Sequence, residues 1–342
     1  MSQADAQDFA SARKILIVAP AWVGDMVMAH SLVQTLHARA PGSRIDMLAP
    51  PATAPLAARM PGVDRTHLFP IAHGELGLGR RRAQGRALRA IGYDQAIVLP
   101  NSFKSALVPW WARIPRRTGW HGESRYGVLN DRRPLQAQRY PLMIQRFVAL
   151  GLPPDAAEPT DCPQPRLRVD PDNRERLRAA LGLGAGRPVL ALCPGAEFGP
   201  AKRWPASHYA AVARHALDAG QAVWLIGSPA EADLCAGIAA LAGGGAVNLA
   251  GRTRLQDAVD LLSAAARVIC NDSGLMHVAC ALDLPVIALF GSTSADFTPP
   301  LGRHARVLRL GLDCSPCFQR ECPLGHLRCL QDLAPERVVA LL

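Results

Sequence analysis

The sequence of 342 residues contains little lysine and few aromatic side chains. Only Lys14, Lys104 and Lys202 are lysines among its 38 Lys and Arg residues, and Phe, Trp and Tyr make up 5% of the chain. No apolar run approaches the roughly 20 residues that cross a bilayer. Met1–Ala12 is polar and lacks the basic start and apolar centre of a secretory signal. These absences predict a protein that stays in the cytoplasm.

Two nucleotide-related motifs are also missing. After the first apolar run the chain reads APAWVGD over Ala19–Asp25, whereas a dinucleotide-binding loop needs three glycines for its turn, its pyrophosphate and its helix packing. This argues against a nicotinamide or flavin oxidoreductase. There is also no convincing Asp-x-Asp pair that would hold a metal ion, and we expect no cofactor to be required.

Positive charge is concentrated in one half of the sequence. Residues 1–160 hold 20 Lys and Arg against 11 Asp and Glu, a balance of +9, whereas residues 161–342 hold 18 against 17. The first half is therefore expected to handle an anionic partner. The alternative is that this charge only solvates the surface.

Short apolar runs alternate with segments of helical periodicity, which predicts parallel sheets covered by helices. The predicted strands of the first half lie at 14–20, 44–48, 65–68 and 95–99, and alternation restarts at 188 after a Pro-rich linker at 151–171. We predict an α/β chain of two doubly wound, Rossmann-like domains facing each other across a cleft. The domains span 1–165 and 166–332, and a C-terminal helix at about 333–342 packs back on the first.

One junction between a predicted strand and a predicted helix carries polar side chains suited to a ligand. It reads NDSGLMH over Asn271–His277. Open parallel sheets bind ligands at such junctions, and a helix start there favours phosphate. Asp272 suits a hydroxylated ligand, and Ser273 with Gly274 allows phosphates to approach. The alternative is that Asp272 or Ser273 only caps the helix.

Other predicted junctions carry further candidates. Asp25 follows the first strand and could take a proton from a hydroxyl, although an N-cap role is equally common. The glycine-rich loop 193–205 fixes Lys202 ahead of a helix that begins with Trp204-Pro205. Glu231 and Thr253 lie in two further turns of this kind. The four loops that carry Lys202, Glu231, Thr253 and Asp272 together predict a nucleotide pocket in the second domain.

Four longer blocks of the sequence carry a specific resemblance to a known family. The blocks VGDMVMAHSLVQTL (23–36), PNSFKSALVPWWARIPRRTGW (100–120), PGAEFGPAKRWP (194–205) and NDSGLMHVACALDLPVIALFGSTS (271–294) resemble the heptosyltransferases of lipopolysaccharide core assembly. The likeness runs over nearly the whole chain. It implies the two-domain GT-B architecture and transfer of L-glycero-D-manno-heptose from ADP-heptose, with inversion at the anomeric carbon.

The resemblance also implies roles for the candidates. Asp25 becomes the catalytic base and Lys202 the cation that steadies the departing diphosphate. The donor-binding residues are Glu231, Thr253, Asp272, Ser273, Gly274 and His277.

The implied acceptor is the heptosylated inner core on Kdo-lipid A, at the inner face of the inner membrane. Its anionic groups match the basic half of the chain. The candidate contacts are Lys104, Arg116, Arg117, Arg125, Arg80, Arg81 and Arg82.

Four cysteines lie close together near the C-terminus. Cys314, Cys317, Cys322 and Cys329, with His326 among them, could bind zinc or an iron–sulfur centre. Their spacing lacks the paired C-x2-C form, so reduced thiols that stabilise a loop are the preferred interpretation.

Three other functions compete with this interpretation. One is another nucleotide-sugar transferase of the same fold with a different anionic acceptor. A nucleotide-sugar-binding protein or epimerase would keep the pocket and lack the acceptor. A nucleic-acid-binding protein with a metal-binding tail would use the basic half, but the scarcity of aromatic residues disfavours it.

Overall fold

The computed structural model describes residues 12–71 and 74–342. Most of the N-terminal segment Met1–Ala12, on which the expected absence of a signal rests, lies outside these ranges. The chain divides into two compact units, the first ending at Pro165 and the second spanning Arg166–Leu342. Within the described ranges, no helix combines the length and the apolar character needed to span a bilayer.

The first unit is built on a six-stranded parallel sheet with the order β3-β2-β1-β4-β5-β6. Its strands are β1 (Lys14–Val18), β2 (Arg44–Ala49), β3 (Arg65–Leu68), β4 (Gln95–Val98), β5 (Arg116–Trp120) and β6 (Asp131–Arg133). Its helices are α1 (Val23–Arg39), α2 (Ala54–Arg59), α3 (Leu78–Arg89), α4 (Leu107–Trp111) and α5 (Met143–Leu150).

The second unit repeats this strand order. Its sheet runs β12-β11-β10-β7-β8-β9, again with parallel pairing. Its strands are β7 (Val189–Cys193), β8 (Ala222–Leu225), β9 (Ala246–Asn248), β10 (Arg267–Asn271), β11 (Val286–Leu289) and β12 (Ala305–Leu308). Its helices are α6 (Pro171–Ala180), α7 (Ala206–Asp218), α8 (Ala232–Leu241), α9 (Leu255–Leu262), α10 (Gly274–Ala281), α11 (Arg328–Gln331) and α12 (Pro335–Val339).

Both sheets have the doubly wound order, in which the direction of winding reverses beside the first strand. The reversal falls between β1 and β4 in the first unit and between β7 and β10 in the second. The central strands β1, β4 and β7 are almost wholly buried because helices cover them, which explains their continuous apolar sequences. The predicted fold class is confirmed.

The C-terminal helix lies elsewhere than the sequence predicted. Helix α12 packs against α7, and its fully buried Val338 joins the core of the second unit. The prediction that residues 333–342 pack on the first domain is therefore wrong. The physical reason is that the apolar side of this short helix completes the core beside α7.

Candidate functional site

The loops that follow β7 and β10 are neighbours because those strands pair. The loop after β7 runs from Pro194 to Pro205 and contains a 3₁₀ turn at Pro200–Lys202. Asn271, fully buried at the end of β10, binds this loop. Its side-chain carbonyl accepts the Trp204 backbone N–H at 3.1 Å, and its amide donates to the Pro194 carbonyl at 2.7 Å. One buried amide therefore fixes the two loops together.

Lys202 and Asp272 meet at this point. The Lys202 Nζ lies 2.6 Å from Asp272 Oδ2, and the two side chains are only 14% and 5% exposed. The same Nζ lies 4.9 Å from the centre of the Phe198 ring. An ammonium group has three N–H donors, so this ion pair leaves the lysine able to bind a further anion.

Thr293 completes the contact from the loop after β11. Its hydroxyl donates to Asp272 Oδ2 at 2.6 Å. The carboxylate oxygen that receives Lys202 is therefore also held by a neutral donor, which fixes its orientation. Sequence reasoning did not single out Thr293, although it lies in the quoted block 271–294.

Helix α10 begins without a side-chain cap. Ser273 occupies the N-cap position, but no side chain caps the helix there, and the Asp272 carboxylate is engaged by Lys202 and Thr293. The alternative in which these two residues only cap the helix therefore does not hold. Backbone N–H groups from Gly274 onward and the positive end of the helix dipole favour an anion at this position.

His277 lies one turn into α10 and is 4% exposed. Burial lowers its pKa to about 4, and the positive charge of Lys202 acts in the same direction, while Asp272 opposes it. His277 is therefore neutral at physiological pH. Its Nδ1 has no hydrogen-bond partner among the described residues.

Glu231 lies beside the loop after β7. A Cβ atom placed on Gly195 would stand 1.7 Å from Glu231 Oε1, so only glycine allows this approach. Glu231 Oε2 also accepts the Ser228 backbone N–H at 2.7 Å. Thr253 is half-buried in the loop before α9, and its neighbour Gly251 packs on Pro229 of the Glu231 turn. The four loops predicted to form the pocket are thus adjacent in pairs along one sheet edge.

In the first unit, Asp25 lies in the first turn of α1, directly after β1. It is half-buried, and the helix begins without a side-chain cap, so Asp25 does not serve as the N-cap residue. Its position at the β1–β4 reversal corresponds to that of the Lys202 loop at the β7–β10 reversal.

The structure divides the seven basic candidates for acceptor contact. Arg125 is fully buried and donates to the carbonyls of Pro100 and Trp120. Arg81 is 6% exposed and donates to the carbonyls of Glu75, Leu76 and Lys104. Both therefore hold loops together. Arg116 pairs with Asp131, and Arg117 donates to two carbonyls.

The other three basic candidates are more accessible. Arg80 is exposed and pairs with Glu75, Arg82 is exposed, and Lys104 is half-buried. They remain the stronger candidates for an external anion.

The four clustered cysteines line one small cavity of about 20 Å³. Backbone N–H groups, first that of Leu327 at 3.4 Å from Cys322 Sγ, lower the pKa of Cys322, whereas burial raises that of Cys329. In the described ranges, no three His, Cys, Asp or Glu side chains form a group that could hold a metal ion, and we propose none.

The segment that carries these thiols supports the donor loops through its backbone. The Arg320 carbonyl accepts the Ala201 N–H at 3.0 Å, and the Phe318 N–H donates to the Ser292 carbonyl at 2.7 Å. A Cβ atom on Gly199 would lie 2.4 Å from the Arg320 oxygen. Residues 314–329, the cysteine loop, therefore brace the neighbours of Lys202 and Thr293.

Comparison with known proteins shows the family of this chain. Residues 81–328 match the sequence profile of glycosyltransferase family 9 (heptosyltransferase). Lipopolysaccharide heptosyltransferase 2 of Salmonella typhimurium is 45% identical over 335 residues, covering 95% of this chain and 96% of the relative. The structure of E. coli ADP-heptose lps heptosyltransferase II matches with a TM-score of 0.86 and 43% identity, covering 96% of each chain.

A more distant structure, the E. coli heptosyltransferase WaaC with ADP, shares the fold. It matches with a TM-score of 0.69 at 21% identity, covering 96% of this chain and 99% of that one. The profile spans well over half of the sequence, and the relatives above span nearly all of it. The expected resemblance is confirmed, and the chain belongs to glycosyltransferase family 9, the heptosyltransferases.

Proposed function

We propose that this protein transfers L-glycero-D-manno-heptose from ADP-heptose to the heptosyl-Kdo-lipid A inner core of lipopolysaccharide, adding the second heptose. The observation that carries the proposal is the Lys202–Asp272 pair beside the uncapped start of α10. This arrangement suits a sugar linked to a diphosphate. The choice of heptose is supported by the relative named lipopolysaccharide heptosyltransferase 2 and by the solved structure named for ADP-heptose.

The donor diphosphate binds where positive charge is already organised. Lys202 supplies a fixed ammonium, and the backbone N–H groups at Ser273 and Gly274 supply neutral donors. Negative charge grows on ADP as its bond to the anomeric carbon breaks, so these groups stabilise the transition state more than the ground state. Asp272 contacts the heptose hydroxyls, His277 lies close by, and Glu231 with Thr253 holds the adenosine.

Asp25 acts as the general base. Its carboxylate takes the proton from the acceptor hydroxyl while the hydroxyl oxygen forms a bond to the anomeric carbon. The bond from that carbon to the ADP phosphate breaks on the opposite side, so the configuration inverts. Transfer requires that the acceptor hydroxyl beside Asp25 reaches the donor sugar held by the second unit.

The acceptor is anionic and anchored in lipid, which fits the basic first half of the chain. We propose contact through Lys104, Arg80 and Arg82, which face outward more than the other candidates. The protein acts at the cytoplasmic face of the inner membrane as a peripheral protein. No metal cofactor enters this mechanism, because Lys202 and the start of α10 supply the charge that a metal clamp would otherwise provide.

Mass spectrometry tests the transfer directly. Purified protein is incubated with ADP-heptose and heptosyl-Kdo-lipid A, and the acceptor is expected to gain the mass of one heptose. Release of ADP without a heavier acceptor would instead indicate hydrolysis and would contradict the proposal. UDP- and GDP-sugars serve as matched donors that should give no product.

Thermal unfolding tests the donor class separately. A ligand that binds only the folded state raises its stability in proportion to the logarithm of its concentration above Kd. ADP is expected to raise Tm, while UDP and GDP leave it unchanged. Equal shifts with all three nucleotides would overturn the assignment of Glu231 and Thr253 to adenosine.

A further inference from the structure

The first unit carries an open groove of about 500 Å³. Of the residues that line it, the proposed reaction uses only Arg82. The groove is lined only by arginine and tryptophan: Arg82, Arg86, Arg89, Trp110, Trp111 and Arg113. We call this surface the arginine–tryptophan groove. Four cations beside two indoles form an unusual lining in a chain with so few aromatic residues.

Helix geometry creates the groove. Arg82, Arg86 and Arg89 are spaced four and three residues apart, so they share one face of α3. Gly85 lies on the side that meets α4, where a Cβ atom would stand 2.6 Å from the Trp111 Cβ. This close approach brings the two tryptophans at the end of α4 next to the arginine face.

The charge in the groove is not compensated. Helix α3 contains five arginines and no acidic residue. Within the described ranges, Arg82, Arg86 and Arg113 have no ion-pair partner, while Arg89 donates to the Trp111 carbonyl at 2.8 Å. Like charges four residues apart destabilise a helix, so folding alone does not favour this arrangement.

The two tryptophans give the groove an apolar, partly exposed side next to the arginines. Trp110 is 43% exposed, and its ring lies 5.7 Å from that of Trp111, centre to centre. An indole has an apolar body and one N–H donor, and tryptophan concentrates at the level of lipid headgroups for that reason. Arginines beside exposed tryptophans match an anionic headgroup layer in both charge and polarity.

We propose that the arginine–tryptophan groove docks the protein on an anionic phospholipid surface. The inference rests on the proposed function, since a lipid-anchored acceptor requires the enzyme to work at a membrane. Guanidinium groups bind headgroup phosphates, and Trp110 inserts at the interface. Each arginine near an anionic bilayer contributes roughly fivefold to the binding constant.

Vesicle flotation tests the docking surface with the full chain. Vesicles are made of phosphatidylcholine with or without phosphatidylglycerol, and the wild-type protein is expected to float only with the anionic ones. Arg86→Gln with Arg113→Gln is expected to weaken that binding roughly 25-fold. Trp110→Ser is expected to weaken it further, and high salt should release all forms.

A matched control removes the same charge elsewhere. Arg187→Gln with Arg306→Gln changes two exposed arginines of the second unit and is expected to float like the wild type. Equal loss in both double variants would mean that only net charge matters and would overturn the groove assignment. So would unchanged binding of the groove variants, or tighter binding of the groove to an RNA oligonucleotide than to anionic vesicles.

Transfer to an acceptor without acyl chains separates this proposal from the proposed function. The Arg86→Gln, Arg113→Gln variant should transfer heptose to that deacylated acceptor at the wild-type rate and lose rate only on vesicle-embedded acceptor. Anionic vesicle binding without any transfer by the wild type would leave the groove intact and reject the function. Transfer of heptose by a wild-type protein that does not bind anionic vesicles would support the proposed function and reject the groove as a docking surface.

Discussion

The two sheets share one strand order, but the segments that follow their first strands are built differently. In the first unit four residues separate β1 from α1, whereas in the second twelve residues separate β7 from α7. The short connection places Asp25 directly on a helix. The long one folds Lys202 back onto Asp272 through a 3₁₀ turn and a buried asparagine.

This difference suits two kinds of chemistry. A carboxylate on the first turn of a helix is positioned by that helix and needs no loop to hold it. A lysine has a flexible stem, so fixing its ammonium requires partners from several segments. The same topology therefore places a carboxylate at one reversal point and an ammonium group at the other.

The largest expected effect on kcat comes from Asp25, which follows the short connection between β1 and α1. Asp25→Asn removes the proposed base but keeps its shape, so kcat is expected to fall by about 10²–10⁴-fold. The Kd of ADP, measured by calorimetry, should not change. Asp155→Asn, at an exposed acidic residue of the same unit, is the matched control. A mutant with near-normal kcat would remove Asp25 from the mechanism.

Lys202→Ala tests the long connection. Losing one electrostatic stabiliser of a transition state costs about 10²–10³-fold in kcat. Because Lys202 is also proposed to bind the ground-state diphosphate, the affinity for ADP is expected to fall in Lys202→Ala, unlike in Asp25→Asn. Arg203→Ala, at the exposed neighbouring position, should behave as wild type. Wild-type kinetics of Lys202→Ala at low donor concentration would refute its role.

Acid is expected to lower the free energy of unfolding of the two units in different pH ranges. His277 has a folded pKa of about 4, lowered from 6.5, so the unfolded chain binds the extra proton first. Stability therefore falls as pH drops from 6.5 to 4, by up to about 1.4 kcal/mol per pH unit and about 3 kcal/mol in total. Chemical denaturation of wild type and His277→Gln across this range measures the difference.

In the first unit, the group whose lowered pKa links stability to pH is Asp46. Hydrogen bonds from His67, Tyr93 and Arg44 outweigh its burial and lower its pKa from 3.8 to about 2. The stability that depends on this carboxylate is lost only as pH falls from 3.8 towards 2. Unfolding of both units in the same acid range, unaffected by His277→Gln, would contradict this separation.

Thr293→Val should have the smallest effect. It removes the hydroxyl that holds Asp272 Oδ2, and a hydrogen bond to a charged group is worth enough to change kcat/KM roughly tenfold. Thr298→Val, in the same loop, is the control. If Thr293→Val leaves both donor affinity and kcat/KM unchanged, Asp272 is oriented without it.

The sequence predicts the apolar strands well but misses two polar strands of the first unit. Runs such as 14–18 and 189–193 are buried between helices, so their hydrophobicity reveals them. Strands β5 and β6 read RRTGW and DRR, and no apolar pattern marks them. Their position depends on pairing with β4 and with each other, which is information held by the fold.

The site was predictable to the extent that chemistry follows strand ends. Lys202 and Asp272 are 70 residues apart, and the sequence identifies both from the loops that carry them, whereas their contact is seen only in the structure. Arg81 and Arg125 looked equally suited to an anion, yet backbone carbonyls surround them. Sequence shows which residues carry charge, but it does not show which carbonyls lie nearby to accept their hydrogen bonds.

The brace formed by the cysteine loop affects how the site is assembled during synthesis. Strands β7 and β10 leave the ribosome well before Arg320, whose carbonyl holds Ala201, and before Leu333, whose carbonyl accepts the Trp204 indole N–H at 2.8 Å. A nascent chain that ends before residue 314 can pair its strands but lacks these anchors. We expect the growing polypeptide to gain nucleotide recognition only after Arg320 and Leu333 have emerged.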